Sequence, residues 1–285
     1  MNRKSTRLDY LSRIERVHRY IRDHLDDDMD LDQLADIACF SRCHWHRIYR
    51  GIVGETAAQT VRRLRLHRAA GELVNARSDI RNIARRAGYS SVEAFNRVFR
   101  AAYGEPPAQY RDRTQRPPDL KPDQLKETIM YETAIETLPP IRLAATRHLG
   151  DYLKIDEAFQ RVFMWNARSA AVQGAPRMVG IFHDDPHTVE TDRLQSDAGL
   201  VIESDMPVDG HEIRAIDVSG GRYAVLAFKG PYAELQRGYD WLFTTWLPES
   251  GQEAGEGPVY EEYLNDPTCT PPTELRTNIC LPLAG

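Results

Sequence analysis

With 285 residues, of which 41% are hydrophobic and 28% charged, the chain is long enough for two ordinary domains and too hydrophobic to be a disordered protein. No stretch approaches the roughly 18 apolar residues of a membrane span, and the N-terminus lacks the apolar run of a signal peptide. We therefore expect a cytoplasmic protein with no membrane partner.

The charge is unevenly distributed along the chain. Residues 1–113 hold 22 Lys and Arg against 15 Asp and Glu, a net of +7, whereas the remainder holds 15 against 27, a net of −12. Lys4 is the only lysine of the basic part, and arginine suits bidentate contact with phosphate or guanine. Such an asymmetry predicts that one half binds a polyanion and the other does not.

Apolar residues recur at helical spacing throughout the first 113 residues. Asp30, Ser41 and Ser91 stand where helix N-caps are expected, and Gly54 and Gly104 stand where helices end. The predicted helices, in chain order, cover 10–25, 31–38, 41–54, 57–75, 80–87 and 91–104.

Two copies of one unit occupy this half. Leu34-Ala35 recurs 49 positions later as Ile83-Ala84, and a larger set recurs at a spacing of 50: Ser41, Arg47, Tyr49, Arg50, Gly54 and Glu55 return as Ser91, Arg97, Phe99, Arg100, Gly104 and Glu105. Each copy reads as a short helix, a tight turn and a Ser-capped helix, which is helix-turn-helix geometry. Two recognition helices joined by one stiff helix can enter successive major-groove segments, about 34 Å apart.

These residues resemble the DNA-binding domain of the AraC/XylS family over about residues 8–113. Further positions that carry the resemblance are Arg65-Leu66, Ala69, Gly88-Tyr89-Ser90-Ser91, Phe95, Pro107 and Tyr110-Arg111. It implies that double-stranded DNA is a partner. It also implies that residues near the start of each recognition helix face bases, namely Arg42, Cys43, His46 and Arg47 in the first unit and Val92, Glu93, Asn96 and Arg97 in the second.

The chemistry of these residue types agrees with base reading. Arg47 and Arg97 can donate to guanine or hold phosphate, Asn96 can read adenine, and Glu93 can accept from cytosine. His46 can donate or accept. Each arginine could instead be a solvated charge or the partner of a carboxylate, and only apolar contact with a thymine methyl is open to Cys43 and Val92. The same alternatives apply to four arginines of the connecting helix, Arg62, Arg63, Arg65 and Arg68, whereas Trp45, Tyr49, Phe95 and Phe99 have core spacing.

Residues 114–126 carry three prolines and read as a linker. Beyond it, His148–Tyr152 recurs eighty positions later as Phe228–Tyr232, and Asp185-Pro186 recurs as Asp266-Pro267. We predict a multidomain chain: an all-α double helix-turn-helix domain over 8–113, then an α+β domain over 127–285 made of two strand-helix-strand-strand repeats with a cleft between their helices. The predicted strands and helices are 141–148, 152–170, 178–183 and 198–203, then 223–229, 232–246, 259–264 and 275–281.

This half resembles a GyrI-like effector-binding domain. The residues that carry the resemblance are Lys229-Gly230-Pro231-Tyr232, Tyr239, Trp246–Gly251, Tyr260–Tyr263, Asn265-Asp266-Pro267 and Asn278–Leu283. It implies an aromatic-lined pocket around a central carboxylate, often used for bulky organic cations. By position that carboxylate is Glu261, although the adjacent Glu262 leaves open which glutamate faces the pocket. Strand alternation puts Glu261 and Tyr263 on one face, so Tyr263 is a candidate wall of this pocket. Further candidate walls, each of which could equally be core, are Phe163, Phe182, Trp165, Trp241 and Tyr232.

Together the two resemblances predict a transcriptional regulator that senses a small, hydrophobic or cationic effector, with RNA polymerase as a further candidate partner. We expect no cofactor, and no metal at Cys39, Cys43, His44 and His46, which crowd into one helical stretch. No Ser/His/Asp arrangement or phosphate loop indicates an enzyme. Two alternatives stay open: Glu261 could activate water in a hydrolase, or the domain could sequester a toxin.

Overall fold

The computed structural model describes residues 3–75, 78–115, 130–169, 171–172, 174–208 and 212–285, without the side chains of 3–7, 31, 42 and 43. Residues 116–126 of the expected linker and residue 170 at the end of a predicted helix lie outside this range. Two compact units divide the chain: 1–129 with 266–274, and 130–265 with 275–285. In the described residues, no helix combines the length and the hydropathy that crossing a bilayer would require.

The first unit contains seven described helices: α1 (Arg3–Asp23), α2 (Leu31–Ile37), α3 (Arg42–Val53), α4 (Ala57–Asn75), α5 (Ile80–Arg86), α6 (Val92–Tyr103) and α7 (Pro107–Gln115). Six of them match predicted helices. The seventh was not predicted; it begins at a proline, which suits a first helical position, and buries Tyr110. Trp45, Tyr49, Phe95 and Phe99 are fully buried, so their assignment to the core is confirmed.

Local capping explains where these helices begin and end. The Asp30, Asp79 and Ser91 side chains accept hydrogen bonds from the first turns of α2, α5 and α6. Both recognition helices, α3 and α6, end at a left-handed glycine, Gly54 or Gly104. The two copies differ in the turn before the recognition helix, where the first uses Cys39 at φ 52° and the second Gly88 at φ 85°.

Gly88, the turn glycine of the second copy, lies against the Arg65 side chain, and this contact predicts the effect of a substitution on stability. A methyl group on Gly88 would collide with the guanidinium of Arg65, whose Nε donates to the Leu25 carbonyl at 2.9 Å. We expect Gly88→Ala to lower the free energy of unfolding by about 2–3 kcal/mol, because left-handed strain and the collision add. Gly104→Ala, with φ 81° and open space around it, should cost only the strain, about 1 kcal/mol. Equal losses in urea denaturation of the two variants would show that the collision is absent.

The second unit is one antiparallel sheet of eight strands in the order β1-β6-β8-β7-β3-β4-β2-β5. The strands are β1 (Glu132–Leu138), β2 (Ile141–Leu149), β3 (Met178–Phe182), β4 (Gln195–Ile202), β5 (Arg214–Val218), β6 (Gly221–Lys229), β7 (Val259–Tyr263) and β8 (Arg276–Pro282). The two predicted repeats are β2-α8-β3-β4 and β6-α9-β7-β8, where α8 spans Asp156–Ser169 and α9 spans Leu235–Trp241. The predicted order of an all-α part and an α+β part is therefore confirmed.

Both edge strands were missed by the sequence prediction. β1, which precedes the first repeat in the chain, pairs with β6, the leading strand of the second repeat. β5, which precedes the second repeat, pairs with β2, the leading strand of the first repeat. β1 is almost entirely exposed and β5 has only five residues, so neither shows the apolar alternation of a half-buried strand.

The predicted helix over 232–246 is divided into several segments. A 3₁₀ turn (Tyr232–Glu234) precedes α9, and a π turn (Leu242–Trp246) and the short helix α10 (Leu247–Ser250) follow it. Buried side chains of α8 pack on Ala144 and Leu200, and those of α9 pack on Leu226 and Ile279. The pairing β3–β7 lies at the centre of the sheet, between these two packed regions.

Candidate DNA-reading surface and buried carboxylate

The first two turns of α3 and α6 expose four of the six described side chains that are predicted to read bases. His46, Arg47, Glu93 and Arg97 are exposed, whereas Val92 and Asn96 are half-buried. The side chains of Arg42 and Cys43 lie outside the described part of the molecule. Because the Ser41 and Ser91 caps precede these turns, the two sets occupy equivalent places in the two units.

The arginines of the first unit fall into two groups. Arg63 donates to Glu55, Arg65 donates to the Leu25 and Asp27 carbonyls, and Arg68 pairs with Asp26, so these three hold helices together. Within the described residues, Arg47 and Arg97 have no carboxylate partner. Their guanidinium groups are therefore available to an external acceptor. The sequence alone could not separate these two arginines from the three that hold helices together.

A buried chain of polar side chains holds the first recognition helix. The Tyr49 hydroxyl on α3 lies 2.8 Å from His18 Nε2 on α1 and donates to Thr60 on α4 at 2.8 Å. The Thr60 hydroxyl donates to Glu55, which also accepts from Arg63. Since a carboxylate can only accept, the Thr60 hydroxyl donates to Glu55 and the Tyr49 hydroxyl donates to Thr60. The Tyr49 oxygen must then accept from His18, which therefore carries a proton on Nε2.

The second recognition helix is held by a shorter version of this arrangement. Phe99 replaces Tyr49 at the core position, and Arg113 pairs with Glu105 fifty positions after the Arg63–Glu55 pair. The sequence repeat contained this second ion pair, but only the contacts identify it as a brace between the end of α6 and α7.

In the second unit, the structure resolves which of the two adjacent glutamates faces the helices. Glu261 on β7 is only 3% exposed and points to the side covered by α8 and α9. The Glu262 side chain points to the other face, where it accepts from Arg177 Nε at 2.7 Å. Strand alternation had placed Glu261 and Tyr263 together, and their direct hydrogen bond agrees with it.

The Glu261 carboxylate is held by two phenols. The Tyr239 hydroxyl on α9 donates to Oε1 at 3.0 Å, and the Tyr263 hydroxyl donates to Oε2 at 2.8 Å. Burial raises the pKa of Glu261 to about 7, although both hydrogen bonds act in the opposite direction. Burial and the nearby carboxylate raise the pKa of both tyrosines well above the usual value, so they remain neutral donors.

Aromatic rings pack around Tyr263, one of the two phenols that hold this carboxylate. Tyr263 packs edge-on against Tyr232 and against Phe159 of α8, with centroids 5.4 and 5.5 Å apart. Phe182 packs edge-on against Tyr152 at 4.8 Å, which is the equivalent pair of the first repeat. Tyr239 carried part of the family resemblance without a predicted role, and Phe159 was not among the predicted site residues.

The two tryptophans predicted as pocket walls are partly buried and pack against core clusters. Trp165 packs beside Val162 and Leu200 between α8 and the sheet. Trp241 packs edge-on against Tyr131, with centroids 5.5 Å apart. For both rings the contacts therefore support the core alternative, because helical spacing does not specify which layer a ring enters.

Each of the two parts of the chain matches a known protein family. A helix-turn-helix domain model matches residues 34–113, and the GyrI-like small molecule binding domain model matches residues 131–284, more than half of the chain. The first part is 32% identical over 100 residues to the regulatory protein SoxS of Salmonella typhimurium, covering 35% of this chain and 94% of SoxS. It is also 32% identical over 102 residues to the uncharacterized HTH-type transcriptional regulator YbfP of Bacillus subtilis, covering 36% of this chain and only 35% of YbfP.

The second part has its own relatives. It is 29% identical over 136 residues to the DNA gyrase inhibitor of Serratia proteamaculans, covering 46% of this chain and 86% of that protein. The solved EcmrR–DNA complex is similar over 97% of this chain and 98% of its own, at 14% identity and a TM-score of 0.48. The chain therefore belongs to the AraC family of DNA-binding transcriptional regulators and carries a GyrI-like small-molecule-binding domain at its C-terminal end.

Proposed function

We propose that the protein regulates transcription in response to a small organic cation that binds at Glu261. The observation that carries this proposal is a buried carboxylate whose hydrogen-bond partners are two neutral tyrosines. A buried carboxylate is costly unless a positive charge compensates it. An effector that brings this charge provides a compensation that the two phenols do not give.

Aromatic walls favour an organic cation over a metal ion. Tyr232 and Phe159 pack against Tyr263, whose hydroxyl donates to the carboxylate, and a cation over the face of an aromatic ring gains about 0.5–2 kcal/mol. A hard metal ion would instead need several oxygen ligands, and neutral phenols are poor ones. The effector we propose therefore combines an apolar body with one positive charge.

We propose further that the first two turns of α3 and α6 read the operator through Arg47, Arg97, His46, Glu93 and Asn96, with Arg42, Cys43 and Val92 beside them. Arg47 and Arg97 have no carboxylate partner among the described residues and stand at equivalent positions of two helices that each follow a serine, which supports this assignment. Such a protein acts where the chromosome lies, in the cytoplasm. RNA polymerase is a further partner under this proposal, because a bound regulator acts on the enzyme that transcribes from the promoter.

Native mass spectrometry of the full-length protein tests the effector site. The protein is incubated with a library of cationic and neutral aromatic compounds, and retained masses are compared between wild type and Glu261→Gln. Glu262→Gln is the matched control, since it removes the same charge one residue away on the opposite face. We expect cations retained by wild type and by Glu262→Gln but lost by Glu261→Gln. Retention by all three proteins would contradict the proposal.

The same measurement examines the hydrolase alternative. A carboxylate with a pKa near 7 can accept a proton from water, which is what a general base requires. A library compound converted to a species heavier by one water, and not converted by Glu261→Gln, would show that the domain is an enzyme. We favour the sensor because the same chain carries the AraC-type DNA-binding part.

A further inference from the structure

The Glu261 site has a partner position on the neighbouring strand. In the β3–β7 pair, Gly180 lies directly opposite Glu261, at the centre of the sheet. The two positions correspond in the two repeats, as Phe182 and Tyr263 do two residues further along each strand. One repeat therefore supplies a carboxylate where the other supplies no side chain at all.

The space above Gly180 is filled by groups of the site itself. A methyl group at this position would lie 3.0 Å from the Tyr263 hydroxyl and 3.0 Å from the Phe182 ring. Both contacts are tighter than an ordinary carbon contact, so the neighbours would have to move. Of the two, the Tyr263 hydroxyl also donates to Glu261 Oε2 at 2.8 Å.

We propose that Gly180 is a positioning residue of the effector site, because its missing side chain leaves the space from which Tyr263 reaches the Glu261 carboxylate. The proposal rests on the proposed effector site and extends it to the opposite strand. Ala198 is the next residue across the sheet from Gly180 and is fully buried, so on the β3–β4 side the floor beside the carboxylate consists of small side chains. A methyl group at 180 pushes the phenol away from this position and weakens its hydrogen bond to the carboxylate, which then depends more on Tyr239.

The consequence concerns the charge of Glu261. The groups that face it are Tyr239 from α9 and Tyr263 from β7, with Tyr232 in contact with the Tyr263 ring. Hydrogen bonds from the two phenols favour the charged carboxylate and oppose the effect of burial. Without Tyr263 in place, Glu261 should take up its proton at higher pH and be neutral over more of the range in which it must attract a cation.

Carbon-13 NMR of the full-length protein, labelled at the glutamate carboxyl carbons, measures this titration without any ligand. Loss of one signal in Glu261→Gln assigns the resonance. We expect Gly180→Ala to move the midpoint of the Glu261 titration upward by about half a pH unit or more, in the same direction as Tyr263→Phe. The double variant should titrate as Tyr263→Phe does alone, since the hydroxyl that Gly180 accommodates is then absent.

Gly199→Ala is the control, because its crowded neighbours, Ala145 and Leu143, belong to the opposite face of the sheet. An unchanged midpoint in Gly180→Ala, or a double variant that shifts beyond Tyr263→Phe, would overturn the proposal. If Gly180→Ala alone does not fold, the double variant Gly180→Ala/Tyr263→Phe should fold, because it lacks the hydroxyl that the methyl group meets. A double variant that also fails to fold would contradict the proposal. A library without any binder would refute the proposed function but leave this titration result standing.

Discussion

The double variant Arg47→Ala/Arg97→Ala is expected to bind its operator about 100-fold more weakly than wild type. Each arginine is exposed at the start of a recognition helix and unpaired within the described residues. A bidentate contact with a base is worth about 1–3 kcal/mol, so losing two of them costs about 2–6 kcal/mol. The measurement is fluorescence anisotropy with a duplex selected by the wild-type protein from random sequences.

The control is Arg50→Ala/Arg100→Ala, which removes the same two charges from the last turns of the same helices. It should retain most of the affinity, because the last turn of a recognition helix lies away from the bases. Salt dependence separates two kinds of contact: loss of phosphate contacts reduces the slope of log affinity against log salt by about 0.9 for each phosphate, whereas loss of base contacts leaves it unchanged. Equal weakening of both double variants would show that only overall charge matters.

Replacement of the buried carboxylate is expected to stabilise the protein. Burial raises the pKa of Glu261 from 4.5 to about 7, so the folded state holds a proton that the unfolded state releases between these values. Stability contributed by this group is therefore full at low pH and is lost as the pH rises from about 4.5 toward 7. The loss is about 3 kcal/mol at pH 8, from about 1.4 kcal/mol for each pH unit.

Glutamine imitates the neutral acid and has no such loss. Glu261→Gln should therefore unfold at higher urea concentration than wild type at pH 8, by up to about 3 kcal/mol, and show little difference at pH 4.5. Glu262→Gln breaks the ion pair with Arg177 and should not stabilise the protein at any pH. A Glu261→Gln variant less stable than wild type at pH 8 would mean that the carboxylate is compensated by a charge, and the argument for an external cation would fail.

The same charge predicts how effector binding depends on pH. A permanently charged cation should bind wild type with an affinity that rises up to about tenfold for each pH unit below 7 and levels off above it, because only the ionised Glu261 attracts it. Glu261→Gln should bind weakly and without this pH dependence. Isothermal titration between pH 5.5 and 8.5 with a cation found in the library measures both.

The amino-acid sequence determined those features that depend on local order along the chain. Caps such as Asp30 and Ser91, the terminal glycines Gly54 and Gly104, and the repeats at 50 and 80 residues specify helices and turns through contacts within a few positions. Alternation along β7 was likewise sufficient to put Glu261 and Tyr263 on one face. Both recognition helices could therefore be predicted without a structure. The family resemblance reduced the choice of central carboxylate to Glu261 or Glu262, and the residues alone did not decide between these two.

Tertiary structure decided what each exposed or half-buried side chain meets. Tyr239 on α9 donates to Glu261, and Phe159 on α8 packs against Tyr263. Arg65 donates to backbone carbonyls of the loop after α1. Periodicity fixes the face on which a side chain lies but not the element that covers that face, so these partners had no signal in the sequence. For the same reason it left Trp165 undecided between the core and the pocket and gave no sign of the exposed edge strand β1, whose place depends on its hydrogen bonds to β6.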